Sequence, residues 1–479
     1  MAYSDEMTTA ARVAELVGPL EAGRPRYAAL AARLRLLIAD GRLPAGTRLP
    51  SERDLTAALG CSRTTVTRAY AELRDTGYLT SRVGSGSVAV LPHGERTTTG
   101  RALTPAELSP GDIDLTCAAT RATPGMLEAY EHALAALPSH LVSAGYPGPG
   151  VPELREALAQ RYAARGLPTS ADQIVLASGA VTATGLAVGT LGRAPRVLVE
   201  SPGYPNTIDL LRRHGARLQP LPVEPTGLHV ASAAETVRRA KADAAVLLPD
   251  FHNPTGGLLD DAGRETLAAA LGTTWAVVDE TVADIDLEPE LGPMPRPFAA
   301  YAPRTITVGS ASKTWWGGLR VGWLRAPRRM AETLTAAAAS ASLGVPVLEQ
   351  LTLLHLLRTR PYLDDDRRRD LRESRDVTVS ELARLLPEAR VVVPRGGLCL
   401  WVELPLSSTA LVLAARRYGV HAASGPRFAV GAGLERWLRI PYVHPAPVQA
   451  DAVRRLALAY ADVVAGEPQR GRDDLPIPA

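Results

Sequence analysis

Apolar residues begin to recur at helical spacing from Tyr27: Leu30, Leu34, Leu37 and Ile38 mark one face, and Gly41 stops the run. Pro44 and Pro50 mark a turn. Ser51 then caps a second helix, with Asp54 three residues on as a capping-box variant, and Gly60 ends it. Ser62 caps a third helix, whose inner face is Val66, Ala69, Tyr70 and Leu73 and whose stop is Gly77. Two short strands follow, about 78–81 and 87–90, joined by a glycine-containing tip, R-V-G-S-G. Three short helices and a wing predict a winged helix-turn-helix over residues 24–91. Residues 1–23 are weakly patterned and predict no more than a frayed helix.

Residues 92–112 are rich in Pro, Gly and Thr, lack periodicity and read as a linker. From 113 the pattern changes to apolar strands alternating with long Ala/Leu helices. Strand candidates are 196–199, 245–248, 275–279 and 306–308. This predicts an α/β domain over 113–465 with a mostly parallel sheet, whose ligands sit at the carboxyl ends of the strands. Near the end, V-V-V-P-R-G-G-L-C-L-W-V-E-L reads as a hairpin-like strand pair and 447–464 as an amphipathic helix. These, with the start of the region, predict a small α+β domain. The tail 466–479 is polar and Pro-rich and is expected to be disordered.

At 479 residues, 46% hydrophobic and 22% charged, the chain has the composition of a soluble globular protein. The net charge of +3 selects no partner for the whole chain. Residues 21–100, however, hold twelve arginines against seven acidic residues, so a polyanion partner is expected for that segment. Cys61, Cys117 and Cys399 are scattered, with no disulfide framework and no metal-ligand spacing, so no metal is expected. There is no signal-peptide pattern and no apolar run long enough for a bilayer, so a cytoplasmic setting without membrane contact is expected.

The third helix exposes Ser62, Arg63, Thr64, Thr65, Thr67 and Arg68. Small hydroxyls let a helix seat in a major groove, and Arg63 can read guanine or pair with phosphate. Arg53 is placed for the DNA backbone. The alternative is a solvated helix packed on the second domain.

Covalent chemistry has few places to occur. The chain has two lysines, Lys241 and Lys313, against 51 arginines. Lys241 lies in a charged run that reads as a solvated helix face. Lys313 follows an apolar strand and is flanked by Ser310, Ser312 and Arg320. An amine among hydroxyls and a guanidinium suits a phosphorylated aldehyde held as a Schiff base; the alternative is a surface lysine in a turn. Ser178, Gly179 and Ala180 form a strand-end turn whose free N–H groups can hold phosphate. Tyr204 offers an aromatic face, and Asn253 sits in a proline turn, H-N-P-T-G. Asp279 ends an apolar strand, where a carboxylate is costly unless it meets a cation such as a protonated pyridine.

The run L-P-S-E-R-D-L-T-A-A-L-G-C-S-R-T-T-V-T-R-A-Y resembles the GntR family of bacterial transcription regulators. The resemblance implies that Arg53, Ser62, Arg63, Thr65 and Gly84 contact operator double-stranded DNA. The position often held by arginine in such helices is Thr67 here, with Arg68 beside it. The motifs Y-P-G-P-G, S-P-G-Y-P, N-P-T-G, V-V-D-E and S-A-S-K…G-L-R-V-G-W resemble the fold-type I, class I/II aminotransferases, which use pyridoxal 5′-phosphate (PLP). Together the two segments resemble the MocR subfamily. That resemblance implies that Lys313 is the Schiff-base lysine, Asp279 pairs with the pyridine nitrogen, Asn253 bonds the ring hydroxyl and Tyr204 stacks on the ring. It further implies that Ser310, Arg320 and the turn Ser178, Gly179, Ala180 bind phosphate. Tyr146 would reach the phosphate of the neighbouring subunit in a homodimer, and Arg439 would clamp a substrate carboxylate.

Two departures stand out. Thr281 and Val282 occupy the positions where the family usually places a tyrosine, and Gly317 replaces a common proline. Loss of the tyrosine should alter the proton affinity of the bound cofactor and weaken catalysis. The expected protein is therefore a PLP-dependent regulator, nucleoid-associated when bound to DNA, that senses PLP, an amine or an amino acid. A working aminotransferase, and a DNA-binding protein with an empty pocket, are the alternatives.

Overall fold

The computed structural model describes residues 8–20, 24–82, 86–91, 103 and 108–466. It divides into two compact units. One holds Met1–Thr116, Leu404–Leu438 and Arg455–Ala479; the other holds Cys117–Glu403 and Arg439–Arg454.

The first unit begins with α1 (Ala10–Val17), α2 (Arg26–Ala39), α3 (Glu52–Leu59), α4 (Arg63–Asp75), β1 (Leu79–Arg82) and β2 (Gly86–Ala89). The caps are local. Ser51 accepts the Asp54 N–H and Ser62 accepts the Thr65 N–H, which satisfies a donor at each helix start. β1 and β2 pair antiparallel, Leu79 opposite Ala89. Residues 46–49 run alongside, with Gly46 N–H bonding the Ala89 carbonyl at 2.8 Å and Leu49 N–H bonding Ser87 at 2.9 Å. Leu30, Leu34, Leu37, Leu55, Val66 and Ala69 form the core beneath the helices. This is the expected winged helix-turn-helix, with each wing strand within one residue of its expected bounds at either end. α1 is firmer than expected: Thr9 caps it, and Val13, Leu16 and Val17 enter the same core. Two turns are too short to give a clear period in sequence.

After β3 (Ile113–Leu115) the chain enters the second unit with α5 (Met126–Ala136), α6 (Pro152–Ala164), β4 (Ile174–Ala177), α7 (Ala180–Gly189), β5 (Arg196–Ser201), α8 (Pro205–Arg213), β6 (Arg217–Pro222), α9 (Val230–Ala240), β7 (Ala244–Leu247), α10 (Asp261–Leu271) and β8 (Trp275–Asp279). Next come β9 (Thr305–Ser310), α11 (Ala311–Thr314), β10 (Gly322–Arg325), α12 (Arg328–Ser342), α13 (Val347–Thr359), α14 (Asp365–Leu385), β11 (Arg390–Val391) and β12 (Cys399–Glu403). Seven strands make one sheet in the order β4-β10-β9-β8-β7-β5-β6. β10 runs antiparallel to both its neighbours, and β9 through β6 run parallel. Helices supply two cores. α5, α6 and α13 gather around Leu154, Leu158 and Trp315, while α9 and α10 cover Leu198, Leu247 and Val278. β11 and β12 pair antiparallel, as the hairpin-like pattern predicts.

β4, β6 and β10 were not among the expected strands. β6 reads R-L-Q-P-L-P, and two prolines are tolerated because it is the edge strand. The chain returns to the first unit with α15 (Ser408–Ala415) and β13 (Val420–Ser424), which pairs parallel with β3. β14 (Trp437–Pro441) and α16 (Ala446–Ala465) complete the fold. The expected linker 92–112 lies largely outside the described residues, as do Gly84 and the tail from 467. Among the described residues, no helix is long and apolar enough to cross a membrane.

Leu34 is fully buried, so Leu34→Ala should destabilise the reader by about 2–5 kcal/mol. Urea unfolding followed by reader-specific proteolysis should show its transition moved to lower urea, with the second unit's transition unmoved.

Candidate functional site

Lys313 sits on α11, one turn past β9. Ser310 caps that helix, its Oγ accepting the Ser312 N–H at 3.2 Å and donating to Ser312 Oγ at 3.0 Å. The helix is braced from behind. Thr314 Oγ1 donates to Asp284 at 3.0 Å, Arg367 Nη1 to the Thr314 carbonyl at 2.8 Å, and the Trp315 indole N–H to the Arg360 carbonyl at 2.9 Å. Lys313 Nζ donates to the Ala118 carbonyl at 2.5 Å. Burial pushes the amine down from its ordinary 10.5; Arg439 adds to this, and Cys117, Cys399 and Asp279 oppose it.

Asp279 ends β8 and lies in register with Val308 on β9, the strand that leads to the lysine. Burial holds its carboxyl above the ordinary carboxylate range, against the Thr281 N–H, which donates to Oδ1 at 2.9 Å, and against the Lys313 charge. A half-buried carboxylate whose charge is disfavoured by desolvation suits an additional cationic partner. Thr281, at the place of the usual tyrosine, thus serves Asp279 through both its backbone N–H and its hydroxyl. Val282 is buried.

Asn253 follows β7 in a turn that begins at Phe251, a buried residue with φ +45. A bulky side chain in that region is strained, and such strain collects at functional turns. Among the described residues, Asn253 Oδ1 is buried with no hydrogen-bond partner, so this amide oxygen has an open position for a ligand hydroxyl. Tyr204, at the start of α8 beyond β5, has its phenol raised by burial, with Arg439, Asp279, Cys117 and Arg320 in its electrostatic surroundings.

The anion cradle is built by strand register. Gly322 on β10 pairs with Ser310 on one side and Ala177 on the other, which sets Ser310 beside the turn Ser178–Ala180. That turn opens α7, whose first N–H groups have no side-chain cap among the described residues. Arg320 Nη2 donates to the Ser178 carbonyl at 3.0 Å. Gly179 has φ +93, and a Cβ there would lie 2.5 Å from Arg320 Nη2; one on Gly322 would lie 2.7 Å from Gly179. Both glycines are required by close approach. Arg439 on β14 is fully buried. Tyr146 is exposed, at 69%, and joins none of these groups. Lys241 is also exposed, just past α9.

The Ala118 carbonyl, the Thr281 N–H and the nearby thiols of Cys117 and Cys399 had no sequence signal pointing to them. Ala118 lies 195 residues from Lys313, and only the fold brings them together.

On the reader, Arg53 and Arg63 are exposed at the starts of α3 and α4. Ser62 and Thr65 hydroxyls lie 2.8 Å apart. The two candidates at 67 and 68 are engaged within the reader. Thr67 Oγ1 donates to Glu52 at 2.6 Å, and the Arg68 guanidinium lies 3.8 Å above the Tyr27 ring.

The aminotransferase class I and II family matches residues 125–456, and the bacterial regulatory proteins of the gntR family match residues 26–88. The chain belongs to the class I and II aminotransferase family, carries a gntR-family reader ahead of that domain, and so falls in the MocR subfamily of regulators. It is 31% identical over 411 residues to the HTH-type pyridoxine biosynthesis transcriptional regulator PdxR of Corynebacterium glutamicum, covering 82% of this chain and 87% of that one. It is 30% identical to the probable rhizopine catabolism regulatory protein MocR of Rhizobium meliloti, covering 66% and 68%. Among solved structures it resembles LysN, an α-aminoadipate aminotransferase from Thermus thermophilus complexed with N-(5′-phosphopyridoxyl)-L-leucine. That match has a TM-score of 0.67 and 27% identity over 75% of this chain and 94% of LysN.

Gly179→Ala should weaken PLP binding by roughly tenfold, because the added Cβ enters the Arg320 guanidinium and the backbone there costs a side chain about 1–3 kcal/mol. Titration of PLP-stripped protein measures this directly. The lowered amine sets a pH dependence as well. Lys313 must be neutral to attack an aldehyde, so the rate of PLP capture should rise with pH to a plateau whose midpoint lies below 10.5. Stopped-flow absorbance across pH checks it.

Proposed function

We propose that this helix-turn-helix regulator holds PLP in its aminotransferase-like domain and changes its grip on operator DNA when PLP, an amine or an amino acid occupies that domain. The observation that carries the reading is the Lys313–Asp279 pair: a half-buried carboxylate closing one strand and an amine on the helix that follows the adjacent parallel strand. PLP fits the residues around it. Lys313 would bond the aldehyde carbon and Asp279 the pyridine nitrogen. The open Oδ1 of Asn253 would accept from the ring hydroxyl, and Tyr204 would cover the ring. Ser178, Gly179, Ala180, Ser310 and Arg320 would take the phosphate. When bound, PLP supplies an electron sink. Arg439, fully buried, would hold a carboxylate of the incoming amino acid.

Exposed Tyr146 supports a homodimer, in which it would reach the partner's phosphate. Arg53, Ser62, Arg63 and Thr65 would contact DNA. Arg68, seated on Tyr27, would act by holding α4 against α2. A cytoplasmic protein that joins the nucleoid when bound to DNA fits a DNA reader.

A second reading is supported by the likeness to LysN: the domain turns over an amino acid and a 2-oxo acid, with Lys313 moving the proton. The absence of a tyrosine at 281 or 282 weighs against efficient turnover.

Operator binding titrated with PLP and candidate amines tests the first reading. Wild type should be yellow and its operator affinity should shift, while Lys313→Ala should lose both the colour and the shift. Colourless wild type indifferent to added PLP would sink it, and steady transamination would favour the second reading. In the same assay Arg63→Ala should cost about 1–3 kcal/mol of operator discrimination, whereas Arg53→Ala should lower the salt slope by about one.

A further inference from the structure

The turn after α2 buries two charges. Asp40 is 1% exposed and Arg42 7%. Arg42 Nε lies 3.0 Å from both Asp40 oxygens, Nη2 donates to Oδ2 at 2.6 Å, and the Arg42 backbone N–H donates to Oδ1 at 3.1 Å. A surface turn has no need to bury an ion pair, which costs desolvation unless every lone pair and proton is met. Here the remaining partners come from beyond the reader. Arg42 Nη1 donates to Glu435 Oε1 at 2.6 Å, and Thr409 Oγ1 donates to Asp40 Oδ2 at 3.2 Å.

These two partners are tied to each other. Thr409 stands in the first turn of α15, and its neighbour Ser408 donates both its N–H (2.8 Å) and its hydroxyl (2.9 Å) to the Glu435 carbonyl. Glu435 lies four residues before Arg439, at most about 14 Å of chain. On the reader side, Asp40 caps α2, which packs along α4 through the shared core of Leu30, Leu34, Val66 and Tyr70.

We propose that the surface made by Thr409 and Glu435 is the docking face for the reader, and that this charged joint passes changes at Arg439 to α2 and α4. The proposal rests on the regulatory reading above. It makes the reader a body that moves with the segment around β14, and it gives the effector a short covalent route to the reader.

The test uses the full-length, PLP-loaded double variant Thr409→Val/Glu435→Ala. It removes both outside partners and leaves the Asp40–Arg42 pair and the reader core in place. Hydrogen exchange of amides 41–43 should quicken about tenfold or more, the loss expected when charge-assisted hydrogen bonds go, while α4 core amides and PLP absorbance stay as in wild type. Prepared PLP-free in parallel with wild type, the variant should bind operator with an affinity that no longer responds to added PLP. Unchanged exchange at 41–43 would overturn the docking face. Faster exchange with the full PLP response retained would overturn the signalling role. A wild type that takes up no PLP fails the functional reading instead, and the exchange result still decides the docking.

Discussion

A carboxylate at the end of an apolar strand constrains the whole second unit. Asp279 costs free energy where it stands, since burial raises its carboxyl and the N–H and hydroxyl of Thr281 offset only part of that. Lys313, on the next strand's helix, has its amine pushed down by burial, and its attraction for Asp279 offsets only part of that carboxyl's cost. Two groups poised against their preferred ionisation make sense as halves of a site completed by a ligand with a cationic nitrogen and an electrophilic carbon. The parallel sheet sets the spacing: β8 and β9 are adjacent, with Asp279 closing the first and Lys313 on the helix that follows the second.

The rest of the site is a matter of close approach. Gly322 lets β10 lie against the Ser178–Ala180 turn, and Gly179 lets the Arg320 guanidinium lie over that turn. Without either glycine, the anion cradle has no room. The charged joint at Asp40 and Arg42 follows the same physics with a different outcome. There the buried charges are met by Thr409 and Glu435 of their own unit, whereas Asp279 keeps a carboxylate that suits a cationic ligand.

Much of this was legible in the chain. The reader could be drawn from Ser51, Gly60, Ser62 and Gly77, because caps and stops act within a few residues. β5, β7, β8 and β9 announced themselves as apolar runs, and the motif residues Lys313, Asp279, Asn253 and Tyr204 all fall at their carboxyl ends, as strand-end logic expects. Elements held by distant contacts were hidden. α1 has only two turns to show a period, and β6 carries two prolines that suit only an edge strand. The Ala118 carbonyl, the joint to Thr409 and Glu435, and the seating of Arg68 on Tyr27 depend on packing that no local pattern encodes.

The central claim is chemical: one amine of two carries an aldehyde cofactor. Borohydride reduction of the protein purified with PLP, followed by peptide mass mapping, decides it. The account predicts a pyridoxyl mass on the peptide containing Lys313 and none on that containing Lys241. A pyridoxyl mass on Lys241, or on neither, would contradict it.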